Sequence, residues 1–287
     1  MSLPFVFIGH TTLDVKENGT SDQEFSCGGG VFFGSQAAQT LGAVTSVLTK
    51  FNPSDRTIVD AFGNTQLLSI PSAHSTTMKN VYLEGKANKR VSLCLHQADP
   101  FTEQDISNPF LLEAVCVLSP LVNGEFPESL IPMVIKKFPI IGLDVQGYTR
   151  HLEGQKLVQK DWPLKTAYLK YISVLKIDED EATALTGIEN MDEAIQKIAS
   201  MGNNLEIICT HVDGIKLYSN GKIFNSLFGN WDINARTGRG DTVLASFMVL
   251  RMKYSDPQIL LDKVALIATH KMNIPGPLRC LPDNWDC

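Results

Sequence analysis

The 287-residue sequence has no stretch in which lysine and arginine concentrate. Its 25 basic residues are outnumbered by 31 acidic ones, for a net charge of −6. Nucleic acid and anionic membrane both select a basic patch, so neither is expected as a partner. The six cysteines (Cys27, Cys94, Cys116, Cys209, Cys280 and Cys287) include no C-x-x-C pair, and no histidine stands at finger spacing, so a zinc site is not signalled. Several lie in apolar runs, such as Cys116 in AVCVL and Cys209 in EIICT, where a thiol behaves as a small hydrophobe. Reduced thiols and a cytoplasmic location are therefore expected. No secretory leader is expected either, because a basic segment is missing and the first apolar run stops at Gly9. Residues 25–49 carry no charge over a length that would span a bilayer. Ser26, Ser35, Gln36, Gln39, Thr40, Thr45 and Ser46 make that segment too polar to do so. The P-loop pattern is absent, and a GxGxxG pattern starting at Gly28 would need glycine where Phe33 stands. Both a P-loop NTPase and a Rossmann dehydrogenase are thereby disfavoured.

What is present is globular: 44% hydrophobic and 20% charged residues, within reach of one large α/β domain over 1–287. Short apolar runs at 4–9, 44–48, 114–118, 140–145, 172–177 and 206–210 read as buried strands. Helical patterns lie between them, among them 31–41 after a glycine cluster, 129–137 and 191–201. Alternating strands and helices predict a mostly parallel sheet covered on both faces. Two regions break the rhythm. Residues 13–25 are polar with a turn at Asn18-Gly19, and 76–96 contain two extended runs around the turn EGKANK (84–89). Antiparallel hairpins do not belong in a buried parallel sheet. They are expected to form a β lid from segments 11–27 and 74–97, or else an ordinary edge hairpin.

The most informative stretch is RTGRGDTVLASFMVLR, residues 236–251. Gly238 and Gly240 flank Arg239, and Asp241 and Thr242 open an apolar helix. A glycine-rich turn at a helix N-terminus presents backbone N–H groups and about half a positive charge, an anion site suited to a phosphoryl group. Asp241 beside it suits a base that takes a hydroxyl proton. A tight turn with Asp241 merely capping the helix fits the same letters. Asp178 and Glu181 likewise satisfy a D-x-x-E capping box before a helix closed by Gly187, or a magnesium site. Gln146 and Arg150 follow a strand end, where such sheets bind ligands, and Arg150 either contacts phosphate or lies on the surface. His10, His96 and His211 show no pairing with a nucleophile and are read as structural.

TGRGDTVLASF resembles the C-terminal signature of the ribokinase-like (PfkB-type) carbohydrate kinases. Gly28, Gly29 and Leu41-Gly42 match the family's N-terminal signature, and Asp14 resembles its early substrate-binding Asp. Details in DVQGYTR (144–150), LKIDEDEA (175–182) and HKMNIPGP (270–277) resemble a subgroup near the myo-inositol kinases. The resemblance implies a ribokinase-like three-layer sandwich and transfer of the γ-phosphoryl group of ATP, with Mg²⁺, to a small polyhydroxylated substrate. A nucleoside kinase and a non-catalytic ligand-binding relative are the alternatives, and a homodimer through the lid is a further implied possibility. By this likeness Asp241 is the catalytic base, and Gly238, Arg239 and Gly240 hold the phosphoryl group. Asp14, Gly28, Gly29 and Phe33 border the acceptor. Thr210, Asp213, Gly214 and Asn273 border the nucleotide. Glu181, through water, and Asp178 serve Mg²⁺. Three positions depart from the pattern: Phe33 replaces an Asn, Arg239 a small residue, and the usual Gly after Thr210 is missing.

Overall fold

The computed structural model describes residues 4–17, 23–63, 65–82, 90–108, 111, 115–232 and 235–285. The strands are β1 (Phe5–Ile8), β2 (Thr12–Glu17), β3 (Gln23–Gly28), β4 (Thr45–Phe51), β5 (Gln66–Pro71), β6 (Thr76–Tyr82), β7 (Arg90–His96) and β8 (Val115–Leu118). They continue with β9 (Ile140–Asp144), β10 (Arg150–Glu153), β11 (Lys156–Gln159), β12 (Val174–Asp178), β13 (Glu206–Thr210), β14 (Gly214–Ser219) and β15 (Lys222–Leu227). The helices are α1 (Gly30–Thr40), α2 (Arg56–Phe62), α3 (Glu103–Ile106), α4 (Ile131–Lys137) and α5 (Gln146–Thr149). After them come α6 (Lys165–Tyr168), α7 (Glu179–Thr186), α8 (Met191–Ala199), α9 (Arg239–Leu250) and α10 (Pro257–Lys271).

Nine strands form one sheet in the order β15-β14-β13-β12-β9-β8-β1-β4-β5. It is parallel from β13 to β5, with β14 and β15 added antiparallel at one edge. Side chains alternate across a strand. Phe5, Phe7, Val47, Val115 and Val117 therefore pack with α1, α9 and α10, while Val6, Ile8, Leu48, Cys116 and Leu118 pack with α4, α7 and α8. This double covering is why the strands read as unbroken apolar runs. Helix starts follow local chemistry. Asp178 caps α7 by accepting from the Glu181 N–H at 2.9 Å, and Glu181 returns the bond to the Asp178 N–H at 2.8 Å. Gly187 closes that helix in the left-handed conformation. No described helix is long and apolar enough to cross a membrane.

A second, six-stranded sheet runs β10-β11-β7-β6-β2-β3. Its β2–β3 and β6–β7 hairpins are those set apart by the sequence pattern, and β2 and β6 join them in parallel. The third hairpin, β10–β11, is an addition to the expected lid segments. It docks on β7, where the Cys94 N–H reaches the Gln155 carbonyl at 2.8 Å. Two four-residue polar strands carry too little apolar periodicity to be legible in advance. The turns expected at Asn18-Gly19 and 84–89, and Cys287, lie outside the described residues.

Candidate active site

A cleft of about 150 Å³ lies between the two sheets, at the C-terminal ends of the large-sheet strands. Ligands are expected at this end of a parallel sheet, because loops diverge there and helix N-termini converge. The small sheet contributes Thr12, Asp14, Met78, Asn80 and Ser92. Arg150, the first residue of β10, adds to the small-sheet side, the large sheet and its loops contribute Gln146, Lys176, Asp178 and Thr210, and the segment 236–241 closes the remaining side.

That segment is shaped by Gly238, which adopts the left-handed conformation (φ 84°) and is the N-cap of α9. A side chain there would collide with the Phe33 ring, so glycine is required both for its backbone and for its lack of bulk. Helix α9 starts at Arg239, two residues earlier than its expected opening at Asp241. Its cap makes no side-chain hydrogen bond, so Asp241 is not the cap. The Arg239 N–H bonds to the Arg236 carbonyl at 3.1 Å and the Thr242 N–H to the Gly238 carbonyl at 3.0 Å. The first-turn N–H groups of Gly240 and Asp241 have no carbonyl one helical turn earlier within the helix, as at any helix start. They border the cleft.

Asp241 approaches the start of α1 so closely that a methyl group on Gly30 would lie 2.9 Å from its Oδ1. Burial pushes its carboxyl up to about 6, and neighbouring Asp144 adds to the rise. The Lys176 ammonium and the Arg150 guanidinium oppose it. A carboxyl poised there is a base near neutral pH.

Lys176 was not legible as a site residue, because it sits inside the apolar run of β12. It is 4% exposed, and its ammonium lies 3.3 Å from Asp144 Oδ1 and 3.4 Å from Glu181 Oε2. Burial alone would lower its pKa, but Asp144, Glu181, Asp178 and Asp241 outweigh that effect and hold it charged. A methyl group at Gly240 would stand 2.9 Å from Lys176 Cε, so this cation lies directly under the 236–240 turn. Arg239 is also buried, at 7% exposure, with its guanidinium 5.3 Å from the Phe228 ring centroid. Its side chain is therefore not a solvated surface charge.

The other residues singled out by the sequence divide. Asp14 lines the cleft and accepts from the Thr12 hydroxyl at 2.7 Å. Gly29, Phe33, Asp178 and Thr210 also line it, whereas Gly28 pairs with Thr12 at its edge. Phe33 presses its ring against Gly238, with the Lys271 ammonium 5.5 Å from its centroid, so that face is filled. Asp213 sits in the tight β13–β14 turn and Gly214 opens β14, both outside the lining. The Asp213 carbonyl takes the Phe228 N–H at 2.8 Å, and Gly214 abuts the Ser226 carbonyl. Asn273 is likewise away from the cleft, its amide tied to the Asn230 and Thr269 carbonyls at 2.8 and 3.0 Å. His10 is buried and bonded to Thr76 and the Asp99 carbonyl, His96 stacks on His74, and His211 Nδ1 accepts the Asp213 N–H.

Magnesium was tested against these donors. Glu181 is fully buried, and its Oε1 has no hydrogen-bond partner. Its Oε2 and the Asp178 carboxylate are engaged in the capping box. No group of three ligating side chains stands together among the described residues. This fits an ion held mainly by phosphates and water, with Glu181 and Asp178 beyond its inner shell.

No protein-family model and no curated protein matches the chain. Among solved structures, it is similar to a pyrophosphate-dependent kinase of the ribokinase family complexed with a pyrophosphate analogue and myo-inositol. The identity is 35% over 96% of this chain and 97% of that one, with a TM-score of 0.85. A second similar structure is a pyrophosphate-dependent myo-inositol-1 kinase converted into a myo-inositol-3 kinase by replacing one Asn and one Ser with Leu. That match has 34% identity over 96% and 95% of the two chains, with a TM-score of 0.85. Arabidopsis thaliana ribokinase, complexed with ribose and ATP, shares the fold at 19% identity over 99% and 96%, with a TM-score of 0.76.

Proposed function

The chain belongs to the ribokinase family, and from that premise we propose that it transfers a phosphoryl group from pyrophosphate to a hydroxyl of an inositol-like polyol. The observation that carries this reading is the placement of Asp241, a buried carboxyl raised to about 6, between a polar acceptor wall and a cluster of buried cations.

In this mechanism Asp14 accepts hydrogen bonds from acceptor hydroxyls, and Asp241 takes the proton of the reacting one. The hydroxyl oxygen bonds to phosphorus as the bridging P–O bond breaks and inorganic phosphate leaves. The Gly240 and Asp241 N–H groups, Lys176, Arg150 and Arg239 stabilise the charge on the phosphoryl oxygens. Mg²⁺, when bound, supplies neutralisation of the donor's negative charge. Glu181 and Asp178 would hold it through water.

Two observations favour pyrophosphate over the ATP implied by the signature. The donor side of the cleft is lined by Lys176, Asp178, Thr210 and residues 236–241. Among the described residues its lining is charged and polar and offers no flat apolar slot of the kind a purine seeks. Moreover, two similar kinases are pyrophosphate-dependent. For the acceptor, Asn80 and Ser92 face each other across β6 and β7, with the Ser92 hydroxyl donating to Asn80 Oδ1 at 2.7 Å. An asparagine and a serine decide which inositol hydroxyl reacts in one similar kinase. The similar kinases act with myo-inositol, which favours a polyol over the nucleoside alternative.

The test supplies Mg²⁺, a panel of polyols including myo-inositol, sugars and nucleosides, and either pyrophosphate or ATP, with products read by phosphorus NMR. The expected result is a polyol monophosphate formed with pyrophosphate. Turnover with ATP alone would reinstate the nucleotide donor. No phosphorylated product from either donor would sink the transfer reading.

A further inference from the structure

Lys271, the last residue of α10, is a buried cation that the mechanism above leaves unused. It is 1% exposed. Its ammonium donates to the Ala235 carbonyl at 2.8 Å, at the entry to the 236–240 turn. It also stands 5.5 Å from the Phe33 ring centroid, and that ring is the surface on which Gly238 rests. Lys271, Phe33 and Gly238 thus form a stack behind the anion site. Among the described residues no carboxylate lies within ion-pair distance of this ammonium. An ammonium buried without a carboxylate is costly unless another negative charge compensates it.

We propose that Lys271 is a positioning residue for phosphoryl transfer: its ammonium fixes the Ala235 carbonyl, and so the turn, and adds positive charge behind the donor phosphates. The inference rests on the phosphoryl-transfer reading above. Lys271 does not line the cleft, so it acts through the turn and through its field. A buried cation with no ion-pair partner among the described residues favours a state in which an anion binds nearby.

The consequence is a pH dependence with a defined sign. Burial lowers the Lys271 ammonium to about 8, with Asp241 of α9 opposing the fall. Other charged groups on the neighbouring elements are engaged elsewhere. Arg239 lies over Phe228, His270 contacts Cys280, and Arg279 bonds to Gln36 and the Ala61 carbonyl. Arg236 lines the cleft, Asp232 is exposed, and α1 presents only Phe33 and the neutral Gln36 on this side. Lys271 is therefore charged at neutral pH and loses its charge as pH rises through about 8.

The experiment compares the full chain with Lys271→Met and Lys271→Arg. It follows kcat and the donor KM with pyrophosphate between pH 6.5 and 9.5, with melting temperatures recorded in parallel. The parent should lose activity above about pH 8. Lys271→Met should be about 10- to 100-fold slower at neutral pH, the scale of a misplaced catalytic group, and should lack that alkaline loss. Lys271→Arg should regain activity and stay active to the top of the range, since guanidinium does not deprotonate there. A parent profile flat from pH 7 to 9.5 overturns the proposal even if Lys271→Met does not fold. So does a folded Lys271→Met that keeps the parent's rate or its alkaline loss. No transfer from any donor at any pH overturns the functional reading itself. Transfer that is indifferent to Lys271 overturns this inference alone.

Discussion

The two walls of the cleft are made of different materials. The large-sheet wall presents Lys176, 4% exposed, backed by its buried partners Asp144 and Glu181 at 2 and 0%, with Asp241 and the α9 N-terminus above them. The small-sheet wall carries Asp14, Asn80 and Ser92, all partly open to solvent. Charges interact strongly where water is excluded and weakly where it is not. A wall of buried charges can therefore steer charge development at phosphorus. On the other wall the Asp14 carboxylate and the neutral Asn80 and Ser92, all half-exposed, can sort hydroxyls by hydrogen bonding. The division predicts that damage to the first wall lowers rate, whereas damage to the second changes which product forms.

The largest effect should come from Asp241→Asn. The helix is capped by Gly238, so the substitution leaves the helix start intact and melting temperature should hold. Without a proton acceptor, kcat should fall by at least about 10²-fold. The parent's kcat/KM should also decline below about pH 6, where the carboxyl is protonated, and the variant should lack that acid limb. A folded variant within threefold of the parent would refute the assignment of the base.

Lys176→Met should differ in kind, because it damages both rate and folding. Removing one member of a buried charge cluster costs about 3–5 kcal/mol, since its partners are left unpaired. Here Asp144 and Glu181 would be stranded. Combining the change with Glu181→Gln should recover part of the melting temperature and none of the activity. If the double variant regained activity, Lys176 would be a structural counter-ion only.

How much of this was legible in the sequence follows the same division. The turn at Gly238 and the helix after it could be read because a left-handed turn at a helix start needs glycine, and the strand runs could be read because both faces are covered. The D-x-x-E box was legible as a cap, and both of its hydrogen bonds form. Lys176 and Lys271 were not, because a lysine inside a strand or helix looks like any solvated charge until the tertiary fold buries it. The β10–β11 hairpin and the Asn80–Ser92 pair were hidden for another reason. Their positions depend on pairing between strands far apart in the chain, which local pattern does not encode. Asp213, Gly214 and Asn273 show the reverse case: the resemblance placed them at a nucleotide, and backbone hydrogen bonds hold them in turns and a helix end away from the cleft.

A smaller effect is expected at Arg239, which is buried over Phe228. Arg239→Ala should raise the pyrophosphate KM about tenfold, the loss of roughly one charge-assisted hydrogen bond to phosphate, with less change in kcat. Steady-state kinetics with both donors would show it. An unchanged KM would mean that the guanidinium serves only to pack Phe228.

The smallest effect on rate, and the most telling for the comparison, should come from the neutral pair on the small-sheet wall. Asn80 and Ser92 are paired across β6 and β7 by a single 2.7 Å hydrogen bond and carry no charge. Replacing both with leucine removes the two partners together, so no buried donor or acceptor is stranded, and melting temperature should change little. The charged wall is untouched, so kcat should stay within about tenfold of the parent, the scale of losing one or two neutral hydrogen bonds to substrate. The hydroxyls at positions 1 and 3 of myo-inositol are mirror-related, so they can be told apart only by contacts that fix which way the ring lies. With the polar pair replaced by apolar surface, the ring should reorient and the ratio of 1- to 3-phosphate should shift. Chiral chromatography of the product measures that ratio directly. If the doubly substituted enzyme kept the parent's ratio, the small sheet would not be reading the acceptor. If it kept the ratio and lost rate by 10²-fold or more, the proposed separation between a rate-setting wall and a selecting wall would be wrong.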